Sequence, residues 1–227
     1  MTRPTLRQRF VRGVYADQSN STSVRQALDP LLRDLGDGRG LNVGGGPIRL
    51  DPRLVHVDLF LEAPVDCVAR AEKLPFADGS FDLVVSQETV EHVPDPFAAV
   101  EEMARVTRPG GRIYLQVPFV IGYHPGPEDY WRFTRAGVRT LLERAGLREA
   151  AIEISVGAGT GTYRIVVEFL AGLTARMAPG LYLPAKGVAS VVCYPLKWFD
   201  GWIAGGTARD RIPGGYLAVA AKSDDHR

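Results

Sequence analysis

Residues 41–50 read "LNVGGGPIRL". A short apolar run leads into three glycines and a proline, and the next apolar run, "LVHVD", begins at Leu54. Only eight residues, Gly46 to Arg53, separate Gly45 from that second run. Fully extended they reach roughly 26 Å at about 3.3 Å each. That is enough to return along a short strand but not to build a helix on the way, although parallel neighbours usually need a longer crossover. Glycines lack Cβ atoms, so the backbone here can approach a ligand closely and take positive φ. Read alone, the loop is either a cradle for a nucleotide-like ligand or a plain tight turn.

Working outward, "NSTSVRQALDPLLRDLG" predicts a helix over residues 20–35. Ser21, Thr22 and Ser23 are candidate N-caps, Gly36 is a stop, and Pro30 is a possible kink. Strands are expected at Leu41–Val43, Leu54–Asp58, Asp66–Ala69 and Phe81–Ser86. The last, "FDLVVS", is almost continuously apolar, as a strand buried on both faces should be. Asp95–Thr107 is the clearest helix, capped by Asp95 with Pro96 at its first position. Phe97, Val100, Ala104 and Thr107 form its core face. "RPGG" stops it, and "RIYLQVP" follows as a strand. Thr134 opens another helix ending at Gly146, and "AAIEISV" and "GYLAVAAK" complete the strands. Alternation of this kind predicts an open, mostly parallel sheet with ligands beyond the carboxyl ends of its strands. The glycine loop sits at such an end, which favours the cradle.

Composition is that of a globular protein: 45% hydrophobic and 23% charged residues over 227, with a net charge of +1. That charge gives no general drive toward nucleic acid, and none is expected as a partner. Arg3, Arg7, Arg9 and Arg12 make a basic start that reads as a surface tail. Cys67 and Cys193 are read as reduced thiols, and no metal site is expected. With no signal-peptide pattern and no apolar run long enough to span a bilayer, a cytoplasmic location is expected.

A dinucleotide fingerprint would need G-x-G-x-x-G opening a helix. The short connection offers no helix N-terminus for a pyrophosphate, which argues against NAD or ATP and for a less anionic nucleoside. Asp58, at the end of the second strand, can accept both hydroxyls of a ribose; otherwise it is a solvated loop aspartate.

At this point a family is visible. "LNVGGGP", "HVDLF", "LPFADGSFDLVVSQETVEHVPDP" and "EEMARVTRPGGRIYLQVP" resemble, in order, the motifs of class I S-adenosylmethionine-dependent methyltransferases, most of all the compact type-11-like group. The stretch "YHPGPEDYWRFTRAG" is similar to one found in methyltransferases of glycan and cell-envelope biosynthesis. The resemblance implies S-adenosyl-L-methionine as cofactor. Gly44, Gly45 and Gly46 would pass under it, Asp58 would hold its ribose, and Leu59, Ala71 and Glu72 would lie by the adenine. Asn42, Ser86 and Gln87 would face its methionine part. Three positions depart from the family pattern: Asn42 and Arg70 stand where acidic residues are usual, and Ile48 where a glycine is. They motivate a second reading, a non-catalytic binding or scaffolding module on the same fold.

The implied fold is α/β: a Rossmann-like, mostly parallel seven-stranded sheet with short or missing early crossover helices and an apolar C-terminal helical extension. The expected divisions are an N-terminal arm and helix (1–38), a cofactor-binding core (39–155), the extension (156–215) and a last strand with tail (216–227). Methyl transfer from a sulfonium asks mainly for positioning, with a general base if the acceptor is a hydroxyl. His124 is the candidate base; Asp129 and Glu128 can orient it or bind sugar hydroxyls. Tyr123, Tyr130 and Trp131 offer flat faces to a saccharide, and Arg132 can grip a phosphate or carboxylate. Against this, Arg132 and Asp129 can pair with each other, Trp131 and Phe133 can be core anchors, and Glu91 and His92 can be structural. The acceptor is expected to be a saccharide, a lipid-linked glycan or another small molecule. The apolar segments after residue 155 read first as packing for the sheet. Lid, homodimer contact or shallow docking at a lipid surface through Lys186, Lys197, Trp198 and Trp202 are the alternatives.

Overall fold

The computed structural model describes residues 21–46, 49–61 and 65–223. The basic arm of Arg3 to Arg12 and the departure at Ile48 lie outside the described residues. The chain divides into two compact units, one of 22–118, 123–153 and 216 onward, the other of 119–122 and 154–215 together with Ser21.

The larger unit carries a sheet in the order β3-β2-β1-β4-β5-β7-β6. Its strands are β1 (Gly40–Val43), β2 (Leu54–Asp58), β3 (Cys67–Val68), β4 (Phe81–Gln87), β5 (Thr107–Pro118), β6 (Leu147–Val156) and β7 (Gly215–Lys222). β1 pairs in parallel with β2 on one side and β4 on the other, so strand order reverses between β1 and β4. β2 with β3 and β4 with β5 are also parallel. The last strand breaks the pattern. Phe119 N–H donates to Gly214 O just beyond the end of β5, and the Lys222 ammonium donates to the carbonyls of Arg105 and Thr107 at its start. β7 therefore runs antiparallel to β5, and the sheet is mixed.

The short connections behave as their length requires. β1 and β2 lie side by side, with no helix among the described residues between them, and residues 69–80 bring β3 to β4 without one. The face this leaves bare is covered by α1 (Thr22–Asp34), which runs on through Pro30. Its Val24, Leu28 and Leu31 recur on one side and pack with Leu35, Leu54, Leu83, Val85, Tyr114 and Leu217. Further along, α2 (Pro96–Val106) lies between β4 and β5, and α3 (Arg135–Arg144) between β5 and β6. Asp95 caps α2 by accepting from the amides of Phe97 and Ala98, and Thr134 caps α3 through Gly137 N–H.

"RPGG" does more than end a helix. Thr107 pairs with Phe81, but the next partners are Leu83 and Arg112, so residues 108–111 bulge out of register. The strand thus begins five residues before "RIYLQVP".

The smaller unit is helical: α4 (Ala158–Met177), α5 (Tyr182–Val192), a 3-10 segment over Tyr194–Phe199 and α6 (Asp200–Ala204). Tyr163, Val167 and Ala189 form its small core, with Cys193 and Leu196 against it. Asp200 ties its end to its beginning, accepting from the Thr160 amide at 2.8 Å and the Thr160 hydroxyl at 2.5 Å. Among the described residues no helix is long and apolar enough to cross a membrane. Cys67 and Cys193 are free thiols.

Candidate active site

A cavity of about 700 Å³ opens at the carboxyl ends of β1, β2 and β4, within the larger unit. It lies at the reversal of strand order, where open α/β sheets bind ligands, and its size is that of a small-molecule site. Val43, Gly44 and Gly46 form its floor; Asp58, Leu59 and Phe60 one wall; and Ala69 to Glu72 lie beside them. Opposite stand Glu88, Thr89, His92 to Pro94, Gly126 to Glu128 and Tyr130.

The glycine loop is set by close neighbours. Gly44 has φ of +70°, and a Cβ there would lie 2.1 Å from Thr89 Cγ2. The Thr89 hydroxyl sits 3.2 Å from the carbonyls of Val43 and Gly44, locking the turn to the end of β4. At Gly45 a Cβ would meet Asn42 Nδ2 at 2.3 Å and the His56 ring at 2.4 Å. Gly45 is thus a packing position under the loop. His56 is fully buried, and its Nε2 lies 3.1 Å from Gly46 O. A carbonyl only accepts, so that nitrogen carries the proton.

Asp58 faces this floor. Its Oδ2 accepts from Gly46 N–H at 2.9 Å, and its Oδ1 from Phe60 N–H at 3.2 Å. Each oxygen keeps a further lone pair for a ligand hydroxyl. Arg70 also lines the cavity, with its guanidinium held 3.0 Å from Glu72. Glu88 takes a positive φ of 51°, unusual for a side chain of its size, and accepts from the Gln116 amide at 3.1 Å.

Of the residues singled out from sequence, Gly44, Gly46, Asp58, Leu59, Ala71, Glu72, Glu128 and Tyr130 come together in the cavity wall. Others do not. Asn42 is buried beneath the loop, Ser86 is buried within β4, and Gln87 turns to the Gln116 side chain at 3.1 Å. Tyr123 is 71% exposed. Arg132 is committed to Asp129 through bonds of 2.5 and 2.6 Å, and Asp129 also accepts from His124 N–H at 2.8 Å. Burial alone would raise the Asp129 carboxyl, but Arg132 and the His124 amide hold it down at about 2. His124 does not line the cavity; its Nε2 lies 3.6 Å from Glu91 Oε1. The histidine that does reach the wall is His92. Trp131 is not a core residue: it is 40% exposed, and its indole donates to Val93 O at 3.0 Å. Phe133, by contrast, is buried.

The residues that sequence reading missed come mostly from two loops. Glu88, Thr89, Val93 and Pro94 follow β4, and Gly126 and Pro127, beside the Glu128 named from sequence, are drawn against them by Tyr130 N–H and Trp131 N–H, both donating to Glu91 O. The usable signal was the acidic residue immediately after the apolar fourth strand.

Comparison with known proteins bears on this same region. A family model described as a methyltransferase domain matches residues 50–115. An uncharacterized methyltransferase of Mycobacterium sp. (strain JLS) is 39% identical over 105 residues, covering 39% of this chain and 42% of the relative. The 27-O-demethylrifamycin SV methyltransferase of Amycolatopsis mediterranei (strain S699) is 38% identical over 93 residues, covering 37% and 34%. These matches span less than half the length of the curated relatives. Among solved structures, Haemonchus contortus phosphoethanolamine N-methyltransferase 2 in complex with S-adenosyl-L-methionine superposes with a TM-score of 0.56 at 16% identity, over 94% of this chain and 56% of that one. The Rossmann-like sheet agrees with these likenesses: residues 50–115, from the approach to β2 into β5, are similar to a methyltransferase domain, and the fold resembles that of the solved methyltransferase.

Proposed function

We propose that the protein transfers a methyl group from S-adenosylmethionine to a small hydroxylated acceptor, a saccharide or a lipid-linked glycan among them. The observation that carries this reading is Asp58, a half-buried carboxylate held by two backbone amides beside a side-chain-free loop at the reversal of strand order. When bound, the cofactor supplies a methyl already activated on a sulfonium. Asp58 would take its ribose hydroxyls, Gly44 and Gly46 would let its sugar lie against backbone, and Leu59, Phe60 and Ala71 would flank its base. Asn42 lies under the loop and brings no charge, but Glu88 lines the wall and offers a carboxylate to the cofactor's ammonium. His92, Glu128 and Tyr130 form the opposite side, where the acceptor would lie. Tyr130, 51% exposed, presents a face suited to a sugar ring.

The reading as a non-catalytic module rests on Asn42, Ile48 and Arg70. Against it stand the open cavity and Glu88, which restores the acidic group that Asn42 lacks. The acceptor class is tested by incubating purified protein and methyl-labelled cofactor with cell extracts, then fractionating the products. Label in hydroxylated small molecules or glycans supports the proposal; label only in protein or nucleic acid contradicts it.

A lipid-borne acceptor fits the smaller unit. Trp198 and Trp202 are 74% and 79% exposed, and Val188, Val191 and Val192 are exposed as well. The lysines expected to frame this patch are engaged elsewhere. Lys186 pairs with Glu168, and Lys197 lies over the Tyr163 and Tyr194 rings, where burial lowers its ammonium to about 8. Docking would therefore rest on apolar insertion. Neutral vesicles should sediment the wild type and not a Trp198→Ser/Trp202→Ser variant; equal sedimentation would remove the proposal.

A further inference from the structure

Three side chains beside the cavity take no part in holding a nucleoside. Glu91, in the 3-10 turn Val90–His92, is fully buried, and neither of its carboxylate oxygens has a hydrogen-bond partner. Its Oε1 lies 3.6 Å from His92 Nε2 and 3.6 Å from His124 Nε2. One ligand atom from each of the three falls within 4.8 Å of the others. A separation of 3.6 Å is too long for a hydrogen bond. It is close to the spacing of two ligand atoms on one ion: bonds of about 2.0–2.2 Å at tetrahedral angles set neighbours roughly 3.4 Å apart.

The far side of the His92 ring is arranged as it is behind a metal-bound histidine. His92 Nδ1 lies 2.6 Å from the Glu128 carbonyl. That oxygen only accepts, so the proton is on Nδ1 and the lone pair of Nε2 points toward Glu91. His124 Nδ1 lies 3.4 Å from Asp129 Oδ2, with Arg132 Nη2 at 3.3 Å. A guanidinium only donates, so without an ion that bond puts the His124 proton on Nε2; an ion taking Nε2 shifts the proton to Nδ1, which then faces Asp129. The Glu128 carbonyl behind His92 fixes that ring's orientation and raises its ligand basicity, and Asp129 stands where it would do the same for His124 once the proton has moved to Nδ1. A buried carboxylate with unused oxygens is unfavourable until a cation or donor meets it.

We propose that Glu91, His92 and His124 bind a first-row divalent transition-metal ion. Two imidazole nitrogens and one carboxylate oxygen suit Zn²⁺, Co²⁺ or Mn²⁺, whereas Mg²⁺ and Ca²⁺ prefer oxygen alone. Three protein ligands leave coordination positions open. His92 and Glu128 line the cavity, so those positions face the side where the proposed function puts the acceptor. An acceptor hydroxyl bound there is acidified and loses its proton to water. Its oxygen then takes the methyl as the carbon–sulfur bond breaks, the bonding pair staying on sulfur. This use of the ion rests on the methyltransferase reading; the binding of the ion does not.

The test uses the full chain, freed of metal with a chelator and titrated with Co²⁺ and with Zn²⁺, with neither cofactor nor acceptor present. One equivalent should bind, with a visible Co²⁺ absorption band displaced by Zn²⁺. Glu91→Gln and His124→Asn should each weaken Co²⁺ binding at least about tenfold. Circular dichroism melts without metal establish that each variant is folded. The wild-type stoichiometry stands as a separate requirement should either variant fail to fold. Less than a tenth of an equivalent on the wild type, or affinity within twofold of wild type in both folded variants, overturns the proposal. Failure to bind S-adenosylmethionine would instead sink the methyltransferase reading and leave this titration unaffected.

Discussion

Gly44→Ala and Gly46→Ala should separate the two jobs of the glycine loop. Both residues have positive φ, +70° and +61°, so alanine at either costs about 1–2 kcal/mol of backbone strain. Their surroundings differ. A Cβ on Gly44 would lie 2.1 Å from Thr89 Cγ2 and 2.4 Å from its Oγ1, whereas one on Gly46 meets nothing within 4 Å. The first must displace Thr89 and disturb its hydroxyl bonds to the neighbouring carbonyls, adding about 2–3 kcal/mol of overpacking and lost hydrogen bonding. At about 2–4 °C per kcal/mol for a chain of this size, Gly44→Ala should lower the melting temperature by about 6–20 °C, and Gly46→Ala by about 2–8 °C. Adding Thr89→Ala to Gly44→Ala removes the two closest atoms, Cγ2 and Oγ1, leaves only Thr89 Cβ at 2.8 Å, and should recover at least about 1 kcal/mol as a coupling energy. The affinity ranking should invert for a ligand lying on the loop: the folded Gly46→Ala protein puts a methyl at the cavity floor and should bind S-adenosylhomocysteine at least about tenfold more weakly. Calorimetric melts and titrations give both numbers. Equal melting of the two variants, or no recovery with Thr89→Ala, would refute the packing argument. Unchanged affinity in Gly46→Ala would refute the placement of the ligand.

Further outcomes follow from other residues. Asp58→Asn, which leaves one oxygen where two now accept, should weaken S-adenosylhomocysteine by about 1.5–3 kcal/mol, or roughly 10- to 150-fold by calorimetry; a change under twofold would remove the ribose assignment. Asp95→Ala deletes the α2 cap and should cost about 1 kcal/mol in urea unfolding. Asp129 has its folded-state pKa depressed to about 2. Its contribution of about 2 kcal/mol is present above the unfolded value and lost as pH falls from about 4 through 2. Unfolding measured from pH 5 to 2.5 should therefore fall less steeply for Asp129→Asn than for wild type, and parallel profiles would contradict this.

Local physics made much of this fold legible. The apolar run of β4 could only be a strand buried on both faces, and the eight-residue return after Gly45 could not hold a helix. Asp95 followed by Pro96 marked the start of α2. What local physics does not encode was harder to read. The antiparallel course of β7 depends on how the chain comes back from the smaller unit, and nothing in "GYLAVAAK" records a direction. β5 begins at Thr107 because that residue pairs with Phe81 across a bulge, a contact between residues far apart in sequence. At the site, the glycines and Asp58 could be read because a strand end fixes where they point. The pairing of Arg132 with Asp129 is readable from their spacing, but the direction of His124 is not, because its loop folds back on Glu91 and turns the histidine to the buried carboxylate. Glu88, Thr89 and His92 gain their positions from the same folding back.

The proposed function requires that the cavity over Gly44, Gly46 and Asp58 hold S-adenosylmethionine. Calorimetric titration of the purified chain with that compound and with S-adenosylhomocysteine tests it most directly. Saturable binding of one equivalent of each is expected below about millimolar concentration, weakened in Asp58→Asn. A cooperatively folded protein that gives no binding heat with either ligand at several temperatures would contradict it.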